Sequence, residues 1–97
     1  MNAARGETGL VIDGVERRLC LTLGALAEIE AGFGCVRMSE LDARMRSLSA
    51  ADLVIVLAAL LRGGGEADAA AQLNSASVSP GAAARAVAEA FRLGLVG

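Results

Sequence analysis

The residues of this chain whose types could do chemistry are Cys20 and Cys35, Glu28 and Glu30, Asp13 and Asp52, and the run Gly63-Gly64-Gly65. The two cysteines are too few and too far apart for a zinc site or a Cys-x-x-Cys redox pair. The chain contains no His, and all nine basic residues are Arg. Imidazole metal sites, Ser–His triads and Ser–Lys dyads therefore all lack their base. Thiol catalysis needs an activating cation or base nearby, and the neighbouring Arg18 and Arg37 cannot act as bases at neutral pH. Glu28 and Glu30 stand two apart on an expected helix and splay to different sides, which reads as solvated charge rather than an acid/base pair. A glycine run cradles phosphate where a strand leads in and a helix N-terminus follows. Here a helix leads in, and no Lys or Ser/Thr follows in P-loop register, so the run reads as a helix stop. Asp13 and Asp52 are accounted for by a turn and a helix start. The expectation is a protein that is not an enzyme, with no catalytic residue, metal site, cofactor or small-molecule substrate.

Composition points the same way. At 97 residues there is room for one domain and one modest core. The apolar fraction is 55%, yet Phe33 and Phe91 are the only aromatic residues, and the surplus is Ala, Leu and Val. Ordinary globular chains carry about 45–50% with Gly counted, so some of this apolar surface is expected to meet a partner or a second copy. The plainer reading is an Ala-rich helical domain. The net charge is −2 and neither half of the chain is basic, which argues against nucleic acid and anionic lipid as partners. Met1 to Gly9 is polar and lacks the apolar core of a signal peptide. The longest apolar run, Leu53 to Leu61, is nine residues, against about 20 for a membrane span. The chain reads as cytoplasmic; a Cys20–Cys35 disulfide stays open on paper, with nothing to suggest secretion.

The fold class expected is α+β, mainly α: residues 1–5 flexible, a β-hairpin over 6–21, then four to five short helices over 22–93. Asp13-Gly14 between apolar runs signals a type I′ turn. It sets Ile12 opposite Val15, Leu10 opposite Arg17 and Thr8 opposite Leu19, and puts Leu10, Ile12, Val15, Leu19 and Leu21 on one face. Thr22 caps a helix from Leu23 to about Ala31 with Leu23, Leu26, Ile29 and Phe33 inward, ended by Gly32-Phe33-Gly34. Ser39 starts a short helix with Leu41, Met45 and Leu48 inward. Ser49 and Asp52 resemble a capping box for a third helix, which ends near Arg62 and is apolar almost all round. In so small a chain few elements exist to surround such a helix. Leu53, Val54, Val56, Leu57, Leu60 and Leu61, with Phe91 on the last helix, are therefore the candidate partner-binding residues. After a short Ala-rich helix from Glu66 to Leu73 and a polar linker, Ser79 and Pro80 start the last helix. Its expected stripe is Ala84, Val87, Ala88 and Phe91, with Gly94 and Gly97 loosening the tail.

The order of these segments carries a resemblance. An Asp13-Gly14 hairpin leads into the stretch Leu21-Thr22-Leu23-Gly24-Ala25-Leu26-Ala27-Glu28, and an apolar helix ends in Leu60-Leu61-Arg62-Gly63-Gly64-Gly65. From about Gly6 to Phe91 the chain resembles the tail protein family of gene transfer agents and related prophages of alphaproteobacteria, which is similar to phage tail assembly chaperones. The resemblance implies a non-enzymatic role in building a tail. Such chaperones bind the helical tape-measure protein, keep it soluble and help bring tail tube protein onto it. It offers no catalytic residue to carry over; its shared stretches, Leu21–Glu30 and Leu60–Gly65, read mainly as structural. A tail tube or minor tail component retained in the particle is the alternative, and a small adaptor that dimerises through its apolar helix is another.

Overall fold

The computed structural model describes residues 6–96; the flexible segment expected at 1–5 lies outside them. An antiparallel hairpin, β1 (Glu7–Ile12) and β2 (Val15–Cys20), is followed by α1 (Leu23–Phe33), α2 (Met38–Met45), α3 (Ala50–Gly63), α4 (Ala67–Ala71), a 3-10 turn (Leu73–Ser75) and α5 (Pro80–Val96). The fold is α+β and mainly α. The register pairs Ile12 with Val15, Leu10 with Arg17 and Thr8 with Leu19, as the Asp-Gly turn requires. Asp13 and Gly14 both take positive φ, 51° and 76°, the conformation a type I′ turn demands. Asp13 also ties the hairpin tip down. Its carboxylate accepts from the Ser77 N–H at 2.7 Å, and its own N–H donates to the Ser77 carbonyl at 3.0 Å.

One face of the hairpin is packed: Leu10, Ile12 and Leu19 are buried. Val15, placed on that face by the alternation, is 48% exposed, although its cross-strand partner Ile12 is buried. α5 packs against β1 and β2 and α3 against β2, which closes the apolar face that a lone hairpin would leave wet.

α1 is capped by Thr22, whose hydroxyl accepts from the Ala25 N–H at 3.0 Å, and closes on Gly34 in the left-handed region. Its buried residues are Ala25, Ile29 and Phe33, with Leu26 packed at the margin. Leu23, expected inward, is 83% exposed: it opens the first turn, where the chain has just left the sheet. Ser39 lies inside α2 rather than capping it, and the N-cap position is Arg37. Leu41 is buried, and Met45 and Leu48 pack against the core.

The capping box of α3 is complete. Asp52 N–H donates to the Ser49 hydroxyl, and Ser49 N–H donates to the Asp52 carboxylate, both at 3.1 Å. Arg44 adds a 3.0 Å ion pair to Asp52, donates to the Phe33 carbonyl and lies 4.4 Å over the Phe33 ring, so one guanidinium ties together α1, α2 and α3. The Ser49 backbone bond, then Arg44, hold the Asp52 carboxyl below the usual carboxylate range. A carboxylate depressed by folding contributes stability that is present above its unfolded value, about 3.9, and is lost as pH falls through the folded value. Urea midpoints measured from about pH 7 to about pH 2 should therefore fall less steeply for Asp52→Asn than for the native protein.

α5 corrects the expected stripe. The buried positions are Ala83, Ala86, Val87 and Ala90, while Ala84 and Ala88 face solvent and Phe91 is half-buried. Gly94 does not loosen the tail. The helix runs through it to Val96, and a side chain there would press on Leu21, with Leu21 Cβ only 2.8 Å away.

Candidate partner-binding site

α3 is the centre of the molecule. It packs against α1, β2, α4 and α5, so the chain does supply enough elements to surround it. Val56, Leu57, Leu60 and Leu61 are between 0% and 4% exposed. As partner-binding residues these four are corrected: they are core, and dimerisation through them would require unfolding. A helix apolar on every side is what a central position in a core demands.

Leu53 and Val54 have a different place. They are half-buried on the outer part of α3 and line open apolar grooves. One groove, of about 420 Å³, runs between α1, α3 and α4, with Ile55, Ala58 and Ala70 in its walls and Glu28 and Arg62 at its rim. A second, of about 260 Å³, continues between the start of α3 and the start of α5, past Leu53, Val78 and Ala83. Val54, Leu73 and Asn74 line both, so the two grooves adjoin and together make a trough beside α3. Phe91 lies elsewhere. It lines a groove of about 370 Å³ between α2 and α5 with Met45, Leu48 and Leu95. The partner-binding residues named from the sequence thus divide into Val56, Leu60 and Leu61 in the core, Leu57 in the core with its edge in the second groove, Leu53 and Val54 on the trough, and Phe91 on a separate face.

The two sequence stretches singled out as structural meet in space. Arg62 donates to the Glu28 carboxylate, Nε at 2.8 Å and Nη2 at 2.6 Å, which joins the end of α3 to α1 beside the trough. Gly63 and Gly64 do more than stop the helix. A Cβ on Gly63 would overlap the Cys20 carbonyl, and one on Gly64 the Arg18 carbonyl, so the end of α3 lies directly on the backbone of β2. Gly65 supplies the positive φ, 82°, that turns the chain toward α4. Glu66 then reaches back, accepting from the Arg18 N–H at 2.9 Å and pairing with Arg17 at 3.5 Å. Sequence reasoning passed over Glu66 and Arg44. Nothing local signals either one, since their partners lie 48 and 8 residues away along the chain.

The chemistry available here is that of contact. Among the described residues no group of three or more Cys, Asp or Glu is arranged to hold a metal ion, and no helix is long and apolar enough to cross a membrane. Cys20 and Cys35 are not joined in a disulfide. Burial, with Glu7 nearby, pushes the Cys20 thiol up, away from the reactive thiolate.

A family model described as phage tail tube protein, GTA-gp10, matches residues 5–97. The chain belongs to this family. Its function is accordingly a phage tail function, in the setting of gene transfer agents and prophages that the Leu21–Glu28 and Leu60–Gly65 stretches suggest. In this member of the GTA-gp10 family the Asp13-Gly14 hairpin, the Thr22 cap and the Gly63-Gly64-Gly65 contact are parts of the scaffold, and the trough is a surface they leave open. No curated protein and no solved structure matches the chain.

Proposed function

We propose that this GTA-gp10 family member is a tail assembly chaperone, which seats apolar helical segments of the tape-measure protein in the trough beside α3. It acts in the cytoplasm of the bacterial host and without catalysis. It keeps the tape measure soluble until tail tube protein is brought onto it. The observation that carries this reading is the trough itself, two adjoining open grooves left after the core is complete, with Val54 between them, Ile55 on one side and Leu53 on the other. A helix laid in an apolar groove is a recurrent recognition mode, and it tolerates varied sequence because aliphatic surfaces repack. Many copies of a small protein could each cover a short length of a long partner.

Co-expression tests the proposal. The tape-measure protein of the same tail should move from the insoluble to the soluble fraction and co-purify with it. A tape measure that stays insoluble, or is soluble but unbound, overturns the proposal. The family description, phage tail tube protein, favours a second reading, a structural component retained in the particle. Mass spectrometry of purified particles separates the two. A transient chaperone is expected to be missing from them, whereas stoichiometric tail amounts would establish the structural role.

A further inference from the structure

We propose that the outer edge of β1 pairs with β1 of a second copy of this chain, joining two hairpins into one four-stranded antiparallel sheet. The inference does not rest on tape-measure binding. The hydrogen-bond phase of the hairpin locates the edge. Across a two-residue turn Ile12 and Val15 exchange backbone hydrogen bonds, and bonded pairs alternate from there. Leu10–Arg17 and Thr8–Leu19 are bonded pairs; Val11–Glu16 and Gly9–Arg18 direct their N–H and C=O groups away from each other. Arg18 fits this phase, because its N–H donates to Glu66 on the far side of β2. Gly9 and Val11 therefore turn their backbone groups outward from β1.

The two edges are treated differently. That of β2 is covered by the Glu66 carboxylate and by the close approach of Gly63 and Gly64. That of β1 opens on a groove of about 490 Å³ lined by Thr8 and Val11 and, from α5, by Ala82, Arg85, Ala86 and Glu89. Exposed edges are ordinarily blunted by Lys, Pro, a bulge or an inward charge. Thr8-Gly9-Leu10-Val11 has none of these, and Val11 is 56% exposed.

Two features select a second copy as the occupant. Antiparallel pairing centred on Gly9 sets Glu7 opposite Val11 of the other copy and Thr8 opposite its Leu10, with no like charges face to face. The charges on α5 are also complementary to themselves. A two-fold axis through Gly9 reverses the helix, so Arg85 of each copy comes alongside Glu89 of the other. Ala82 and Ala86 are small enough to allow the approach, and Arg85 would join the existing Glu89–Arg92 pair from its open side.

Sedimentation velocity over a rising concentration series, with circular dichroism as the check on folding, tests the pairing. The native chain should dimerise. Val11→Pro removes an outward N–H that takes no part in the β1–β2 ladder, and Val11→Lys puts a charge on the edge; each should leave a folded monomer. Arg85→Glu should weaken the dimer about tenfold, and exchanging both charges, Arg85→Glu with Glu89→Arg, should recover most of that loss. If Val11→Pro disturbs folding, Val11→Lys decides alone. A native chain that stays monomeric at the highest concentration overturns the proposal, even if a foreign strand is later found on this edge. So does a dimer that Val11→Lys leaves intact.

Discussion

Leu57→Asp, and Leu60→Asp with it, should abolish the cooperative unfolding transition rather than yield a folded chain that has lost a partner. Leu57 is 4% and Leu60 0% exposed, both on the helix against which α1, β2, α4 and α5 pack. Removing a buried leucine side chain costs about 2–5 kcal/mol through lost transfer energy and the cavity left behind. A carboxylate with no partner in that space adds several kcal/mol of desolvation, or must bind a proton to remain. Set against a net stability of about 5–15 kcal/mol, the sum leaves little or no folded population. Circular dichroism melts and size-exclusion chromatography check this. A folded, monomeric Leu60→Asp variant would mean that α3 is not the core.

Gly63→Ala and Gly64→Ala should destabilise the protein, and for Gly63 the sign itself is informative. Gly63 is the last residue of α3, and replacing a helical Gly by Ala ordinarily gains about 1 kcal/mol. Here the added methyl meets the Cys20 carbonyl, and at Gly64 it meets the Arg18 carbonyl. Backbone cannot swing aside as a flexible side chain would, so α3 must move off β2. Overpacking of this kind costs about 1–3 kcal/mol, and loss of the Glu66 contact on β2 would add to it. Urea denaturation of each variant measures the change. An unchanged or raised midpoint for Gly63→Ala would show that the contact yields freely and that the glycines serve only to end the helix.

The fold was legible where a few residues dictate local geometry. Asp13-Gly14 specified the turn and through it the whole strand register, and Ser49 with Asp52 specified the start of α3. What was not legible is the direction in which uniformly apolar helices face. α3 is Leu, Val, Ile and Ala on every side, so its pattern marks no outer surface; Val54 differs from Val56 only in what the rest of the fold places over it. α5 carries alanine at 82, 83, 84, 86, 88 and 90, which makes neighbouring stripes degenerate; Val87 belongs to both the expected stripe and the observed one. The trough was out of reach because its lining comes from α1, α3, α4 and the segment before α5, and only the assembled fold sets Val54 beside Leu73 and Val78. The glycine run was seen as a stop signal, but its second role depends on β2, which lies some 45 residues earlier in the chain.

The most direct test of the chaperone reading is co-expression of the tape-measure protein with a trough variant, Val54→Glu, beside the native chain. Val54 lines both grooves and is half-buried, so a glutamate there can reach solvent while placing a charge where the apolar partner would sit. The native chain should bring the tape measure into the soluble fraction. The variant, folded by circular dichroism, should lose most of that recovery, since a docking anchor of this kind is worth on the order of 1–3 kcal/mol. Full recovery by the folded variant would contradict the account, because the tape measure would then be held somewhere other than the trough beside α3.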